Sequence, residues 1–205
     1  MNRSILVSSV LHLILIMITA FSLPFLAKKP LDIEYHDQEW GVPLKDEHRL
    51  FEFLILEGVQ AGLSWSTVLQ RREHYRKAYH NFDPAIVANF DAKTTHDLLQ
   101  NPNLIRNKLK INASVKNAMA FIKVQEEFGS FAHYLWGFVN NTPIINHWEK
   151  PEHVPSETDL STKLSHDLKK RGFSFVGPTI CYALMQATGL VNDHLTTCFR
   201  HSELQ

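Results

Sequence analysis

Cysteine is scarce in this chain: among 205 residues only Cys181 and Cys198 occur. Two are too few for a disulfide framework, so a reducing compartment is expected. Excess charge of either sign is missing as well, since 21 basic and 21 acidic residues give a formal net charge of zero. No global field then attracts nucleic acid, and any such partner must be met by local patches. Alternating strand patterns are scarce, and no internal repeat or low-complexity linker is visible. With 44% hydrophobic and 20% charged residues, the composition is neither that of a disordered chain nor that of a multi-span membrane protein. An all-α globular domain is the expectation.

Charge is missing locally in one place. Residues 4–27, SILVSSVLHLILIMITAFSLPFLA, contain no Asp, Glu, Lys or Arg and are flanked by Arg3 and by Lys28 and Lys29. That length can cross a bilayer or serve as a secretory signal, although Phe25, Leu26 and Ala27 make a poor cleavage site. Two readings stand: a signal or anchor, which would bring a membrane partner, or an aberrant N-terminus covering residues 1–29.

What is present after Pro30 is helical patterning. KDEHRLFEFLILE (45–57) offers Asp46 as an N-cap and apolar residues at helical spacing, ending at Gly58. In SWSTVLQRREHYRKAYHNF, Val68, Leu69, Tyr75, Ala78, Tyr79 and Phe82 form an inward stripe that stops at Asp83-Pro84. Further helical runs are predicted near 84–100, 108–128, 130–139, 159–171 and 178–189. NNTPIINHWEKPEHVPSETD (140–159), with three prolines, reads as a long connection between a main body and a final helical unit.

That final unit, about 159–189, reads helix, turn, helix. Gly172 closes the first helix, Gly177 sits in the turn and Pro178 suits the first turn of the second. Backbone N–H groups at such a second helix can hold a DNA phosphate, with Lys169, Lys170 and Arg171 adding charge; an ordinary αα-hairpin fits the same pattern. IRNKLKINASVK, with Arg106, Lys108, Lys110 and Lys116, is either a DNA-facing surface or a solvated helix face.

Two further groups of residues carry chemistry. YHDQEWGVP (35–43) and EGVQAGLSWST (57–67) supply Tyr35, Trp40 and Trp65 as aromatic faces, Glu57 as a carboxylate, and a Gly58 to Gly62 loop carrying Leu63. An aromatic pocket with one acid suits a flat cationic ligand; a Trp-rich core with a helix-end charge is the plainer alternative. In GLVNDHLTTC, His194 and Cys198 stand four apart on one face of a helical turn, where one zinc ion can touch both.

YHDQEWGVP, LEGVQAGLSWSTVLQRRE, FDPAIVA, LKKRGFSFVGPTICYALMQATGLVNDH and the trailing Cys198 together resemble the DNA-3-methyladenine glycosylase I family, over about residues 30–198. The resemblance implies an all-α helix-hairpin-helix DNA glycosylase fold for residues 30–205. It also implies excision of 3-methyladenine from alkylated double-stranded DNA, by a monomer that needs no cofactor for its chemistry. Such enzymes flip the nucleotide out of the duplex, which requires a wedge in the vacated stack. By carry-over, Leu63 is that wedge, Glu57 is the catalytic-site acid that hydrogen-bonds the base, and Tyr35, Trp40 and Trp65 are the stacking pocket. The hairpin, with Lys169, Lys170, Arg171 and Gly177, faces DNA.

The family also binds a structural zinc through two cysteines and two histidines. His36, His194 and Cys198 match three ligands, but Leu23 and Pro24 stand where the remaining cysteine is expected. The metal is lost, or His201 stands in, or residues 1–29 are not the natural start of a cytoplasmic repair enzyme. A second departure is Asp32, where the family has a pocket tyrosine. Asp37 and Asp193, beside the metal candidates, read as structural groups. The competing reading of the whole chain is a catalytically impaired DNA-binding or membrane-anchored remnant of the family.

Overall fold

The computed structural model describes residues 29–205. The expectations for the apolar segment, including the absent cysteine at Leu23 and Pro24, therefore lie outside the described residues. No helix among the described residues is long and apolar enough to cross a membrane.

The regular secondary structure of the described residues is almost wholly helical. In order come α1 (Pro30–Gln38), α2 (Glu47–Gln60), α3 (Trp65–Leu69), α4 (Arg72–Ala78), a 3-10 turn (His80–Phe82), α5 (Pro84–Val87), α6 (Ala92–Gln100), α7 (Lys108–Phe128) and α8 (Phe131–Gly137). The two-residue strand β1 (Ile144–Ile145), a second 3-10 turn (Pro151–His153), α9 (Asp159–Lys170), α10 (Pro178–Ala187), β2 (Val191–Asn192) and α11 (Phe199–Glu203) complete it.

Helix α2 is the axle of the fold, with every residue from 50 to 59 buried. It packs against α3, α7, α8 and α10, which accounts for a helix apolar nearly all round. Asp46 caps it as expected, accepting the Arg49 N–H at 2.9 Å. Glu47, in the same first turn, reaches sideways instead: its two carboxylate oxygens accept the Phe131 and Ala132 N–H groups at 2.9 and 2.8 Å. Those amides are among the unpaired donors at the start of α8, so one acid fixes the angle between two helices.

Three sequence expectations change. The run 84–100 is two helices, because Asp91 accepts the Thr94 N–H at 2.7 Å and starts a new helix after the Asn89–Phe90 turn. The run after Ser64 is likewise broken into α3, α4 and the 3-10 turn, with Asn81 at φ 54°. The connection 140–159 does not divide the chain: β1 within it pairs in parallel with β2, Ile144 opposite Val191. One hydrophobic core runs from Tyr35 to Leu195.

The two ends of the described chain are laced together. Gly41 and Leu44 donate their N–H groups to Gln186 and Thr188 carbonyls at 3.1 and 3.0 Å. Gly189, at φ 73°, passes so close that a Cβ there would lie 2.5 Å from the Pro43 nitrogen, so only glycine serves.

Candidate functional site

Four side chains build the candidate base pocket from three elements. Helix α1 supplies Tyr35, α2 supplies Phe53 and Glu57 one turn apart on one face, and α3 supplies Trp65. Ser64 caps α3 by accepting the Thr67 N–H at 3.2 Å, which sets the entry of Trp65. Trp65 stacks on Phe53 at 6.5 Å between ring centroids and meets Tyr35 at 5.3 Å. Sequence reading overlooked Phe53, which sits four residues before Glu57 and could have been found by that spacing.

The polar groups in this pocket are unusual. Glu57 is 3% exposed, and burial pushes its carboxyl up to about 8, with no cation or donor offsetting the desolvation. At neutral pH it is held as the acid. The indole N–H of Trp65 is buried and has no hydrogen-bond partner among the described residues. Burial, together with the Glu57 charge, also drives the Tyr35 phenol well above its ordinary range. A buried acid and an unused donor beside stacked rings are what a flat heterocycle with its own donors and acceptors requires.

Beneath the pocket lies a buried ion network that sequence reading missed. Arg72 donates to Glu52 at 2.6 Å and to Glu39 at 2.8 Å, while its guanidinium sits 5.1 Å from the Phe53 ring centroid. Arg76 adds two donors to Glu52, and Arg49 adds one to Glu39. Helical periodicity places Glu52 on an inward face of α2 but does not announce its partners.

A second cluster joins α1 to the C-terminal region. Cys198 Sγ lies 3.6 Å from His36 Nε2 and 3.6 Å from His194 Nδ1, and all three ligand atoms fall within 4.8 Å of one another. Zinc bonds of ordinary length in a tetrahedron give an S to N edge of about 3.6 Å, so this donor set fits that ion. The outer nitrogens are already committed: His36 Nδ1–H donates to Asp37 at 2.7 Å, and His194 Nε2–H donates to the Trp40 carbonyl at 3.1 Å. Each ring is thereby turned with its lone pair inward. Burial lowers His194 to about 3, so it is a neutral imidazole. His201 does not join them, because its ring nitrogens engage the Asn146 carbonyl and the Gln205 amide.

Trp40 belongs to this clasp by its ring contacts. It stacks on His36 at 6.2 Å and meets His194 edge-on at 4.5 Å. Asp193 is 2% exposed and accepts four hydrogen bonds, from Asn146, Trp148, Tyr182 and Gln186, at 2.6 to 2.8 Å. All its lone pairs are spoken for, so it has neither access nor capacity to activate water.

In the hairpin, Lys169 and Lys170 are exposed at the end of α9. Gly177 is the N-cap of α10, and no side chain caps that helix, which leaves its first amides without a side-chain acceptor. Arg171 is placed differently from its expected DNA-facing role. It donates to Glu127 and Asp167 at 2.7 and 2.6 Å and lies over the Phe128 and Tyr134 rings, clamping α7, α8 and α9 together. Leu63, partly exposed, follows Gly62 at φ 80° in a turn. Asp32 is half-exposed on α1, three residues before Tyr35.

The family model for methyladenine glycosylase matches residues 25–201. The DNA-3-methyladenine glycosylase of Haemophilus influenzae is 47% identical over 175 residues, covering 85% of this chain and 95% of that protein. A crystal structure of a 3-methyladenine DNA glycosylase I superimposes with a TM-score of 0.84 at 48% identity, covering 87% of this chain and 98% of that one. A tyrosine-to-phenylalanine variant of 3-methyladenine DNA glycosylase I in complex with 3-methyladenine gives 0.82 at 37% identity, covering 84% and 92%.

Proposed function

This chain belongs to the methyladenine glycosylase family, and we infer from that membership and from its buried acid that it hydrolyses the N-glycosidic bond of 3-methyladenine in alkylated DNA. The observation that carries the reading is Glu57, a buried acid near Tyr35 and one turn from Phe53, whose pKa burial pushes up to about 8. An uncharged ligand gives such a carboxyl no reason to ionise. A base that arrives as a cation does, because the opposite charge and a hydrogen bond both favour carboxylate.

3-Methyladenine linked to deoxyribose is such a cation, and its positive charge already makes it a good leaving group. Glu57 and the Trp65 N–H hold the extruded base by its polar edge, while Tyr35, Phe53 and Trp65 supply π faces that attract it. As the bond to the sugar lengthens, its electron pair leaves with the base as neutral 3-methyladenine, charge passes to the sugar, and water adds to the developing oxocarbenium ion and loses a proton to solvent. The site contributes by selecting the charged base rather than by protonating it. Leu63 fills the gap in the stack, and the hairpin with Gly177, Lys169 and Lys170 holds the duplex backbone. We place the enzyme with the chromosome, in the cytoplasm, acting as a monomer. We further propose that His36, His194 and Cys198 bind a structural zinc ion that ties the two ends of the domain together.

The test is incubation of the full chain with methylated duplex DNA and chromatographic detection of the free base. Release of 3-methyladenine is expected. A folded protein that binds the duplex and releases none would instead be a DNA-binding remnant.

A further inference from the structure

Helix α2 ends on a sharply defined turn. Ala61 has φ −43° and ψ 113°, Gly62 has φ 80°, and the Leu63 N–H donates to the Gln60 carbonyl at 2.6 Å. These are the marks of a type II turn, with glycine where φ must be positive. The neighbouring carbonyls, left unpaired by the end of the helix, are taken by a side chain from elsewhere. Lys110 of α7 donates its ammonium to the Val59 and Ala61 carbonyls, both at 2.7 Å. Three consecutive carbonyls just before Leu63 are thus fixed.

Seven residues further along α7, Asn117 does the same for the hairpin. Its amide donates to the Ser174 carbonyl at 2.9 Å and accepts the Ser174 N–H at 2.8 Å. A spacing of seven returns to the same helix face, about 10.5 Å along the axis. Between the two anchors, Gly58 lies against Phe175, where a Cβ would come within 3.2 Å of the Phe175 Cβ. One 21-residue helix therefore holds both turns that the glycosylase reading assigns to DNA.

Resting on that reading, we propose that Lys110 is a positioning residue for base extrusion: it fixes the turn that carries Leu63 relative to the hairpin turn held by Asn117. The lysine that the sequence left as either a DNA-facing or a solvated cation holds backbone carbonyls instead. Without its ammonium the pocket is unaltered, but the wedge no longer meets the duplex at a set distance from the hairpin, and a misplacement of about 1 Å is enough to cost a large factor in rate.

The experiment uses the full chain with Lys110→Met, which keeps the stem and removes the donors. Single-turnover excision from methylated duplex is expected to fall about tenfold or more. Affinity for free 3-methyladenine, read by tryptophan quenching, should stay within about twofold, and the salt dependence of duplex binding should not change. In a Leu63→Ala background the same change should add less than about twofold, because the lysine acts through that leucine. Unchanged excision overturns the proposal, as does a salt slope reduced by about one, the mark of a phosphate contact. Equal losses in both backgrounds, or a free-base affinity that collapses with the melting temperature, would show ordinary structural support and overturn it too. Wild-type protein that releases no base strikes the glycosylase reading itself, which separates the two failures.

Discussion

Arg72 and Glu52 form an ion pair at 2.6 Å in which the two side chains are 7% and 4% exposed. Arg76 adds donors to Glu52 and Glu39 accepts a second bond from Arg72, while the Arg72 Nη2 stays buried without a partner among the described residues. Breaking a buried pair costs up to about 3–5 kcal/mol, and without Glu52 the Arg72 guanidinium keeps Glu39 as its one acidic partner. Glu52→Ala should show that loss in urea denaturation, together with a looser Phe53 ring under the Arg72 guanidinium. A loss below about 1 kcal/mol would mean that water relieves the arginine.

Glu57→Gln should separate the demands of stability from those of activity. The carboxyl ionises at about 8 in the folded protein against an ordinary 4.5, so the folded state binds its proton more tightly. Its contribution favours folding below pH 4.5 and is lost as pH rises to about 8, with a ceiling of about 5 kcal/mol. The glutamine variant should therefore melt like wild type at pH 4 and above it at pH 8.5, while excision falls. Parallel melting curves at both pH values would remove the neutral acid from the pocket.

Asp193→Ala should lower stability by about 3–5 kcal/mol, since four donors, those of Tyr182 and Gln186 fully buried, lose their acceptor. The excision rate per folded molecule should remain within about threefold of wild type, as expected of a residue that touches neither base nor water. A loss of several orders of magnitude with intact folding would make Asp193 catalytic.

Elemental analysis of the full chain should find about one zinc per molecule, and chelation should lower the melting temperature. Cys198→Ser should abolish the zinc and imitate the chelator. Metal-free protein that melts identically with and without added zinc would show that hydrogen bonds alone close the clasp.

How much of this was legible before the structure depended on whether a residue's partner lay in its own motif. His36, His194 and Cys198 converge as the motif match implied, and Asp46 caps α2 because capping is a local event. Arg171 was misjudged because its captor, Glu127, is 44 residues away on another helix. Lys110 was read as one of several surface cations for the same reason, its acceptors lying 49 and 51 residues upstream. Glu52 was hidden by its surroundings: an acid in a helix apolar nearly all round stays buried only if tertiary packing delivers two arginines to it. Pattern gives the face of a helix; which charge arrives there is decided by the whole fold.

The clasp joins residues 162 positions apart, His36 and Cys198. Contacts so distant in the chain are the slowest to form and demand the largest loss of chain entropy before they return anything. Tyr35 of α1 packs on Phe53 and Trp65 and Glu39 pairs with Arg72, so α1 is seated by nearby sequence before the distant clasp adds its own tie. A lagging clasp should appear as a slow final phase in refolding, accelerated by whatever draws His36 and Cys198 together.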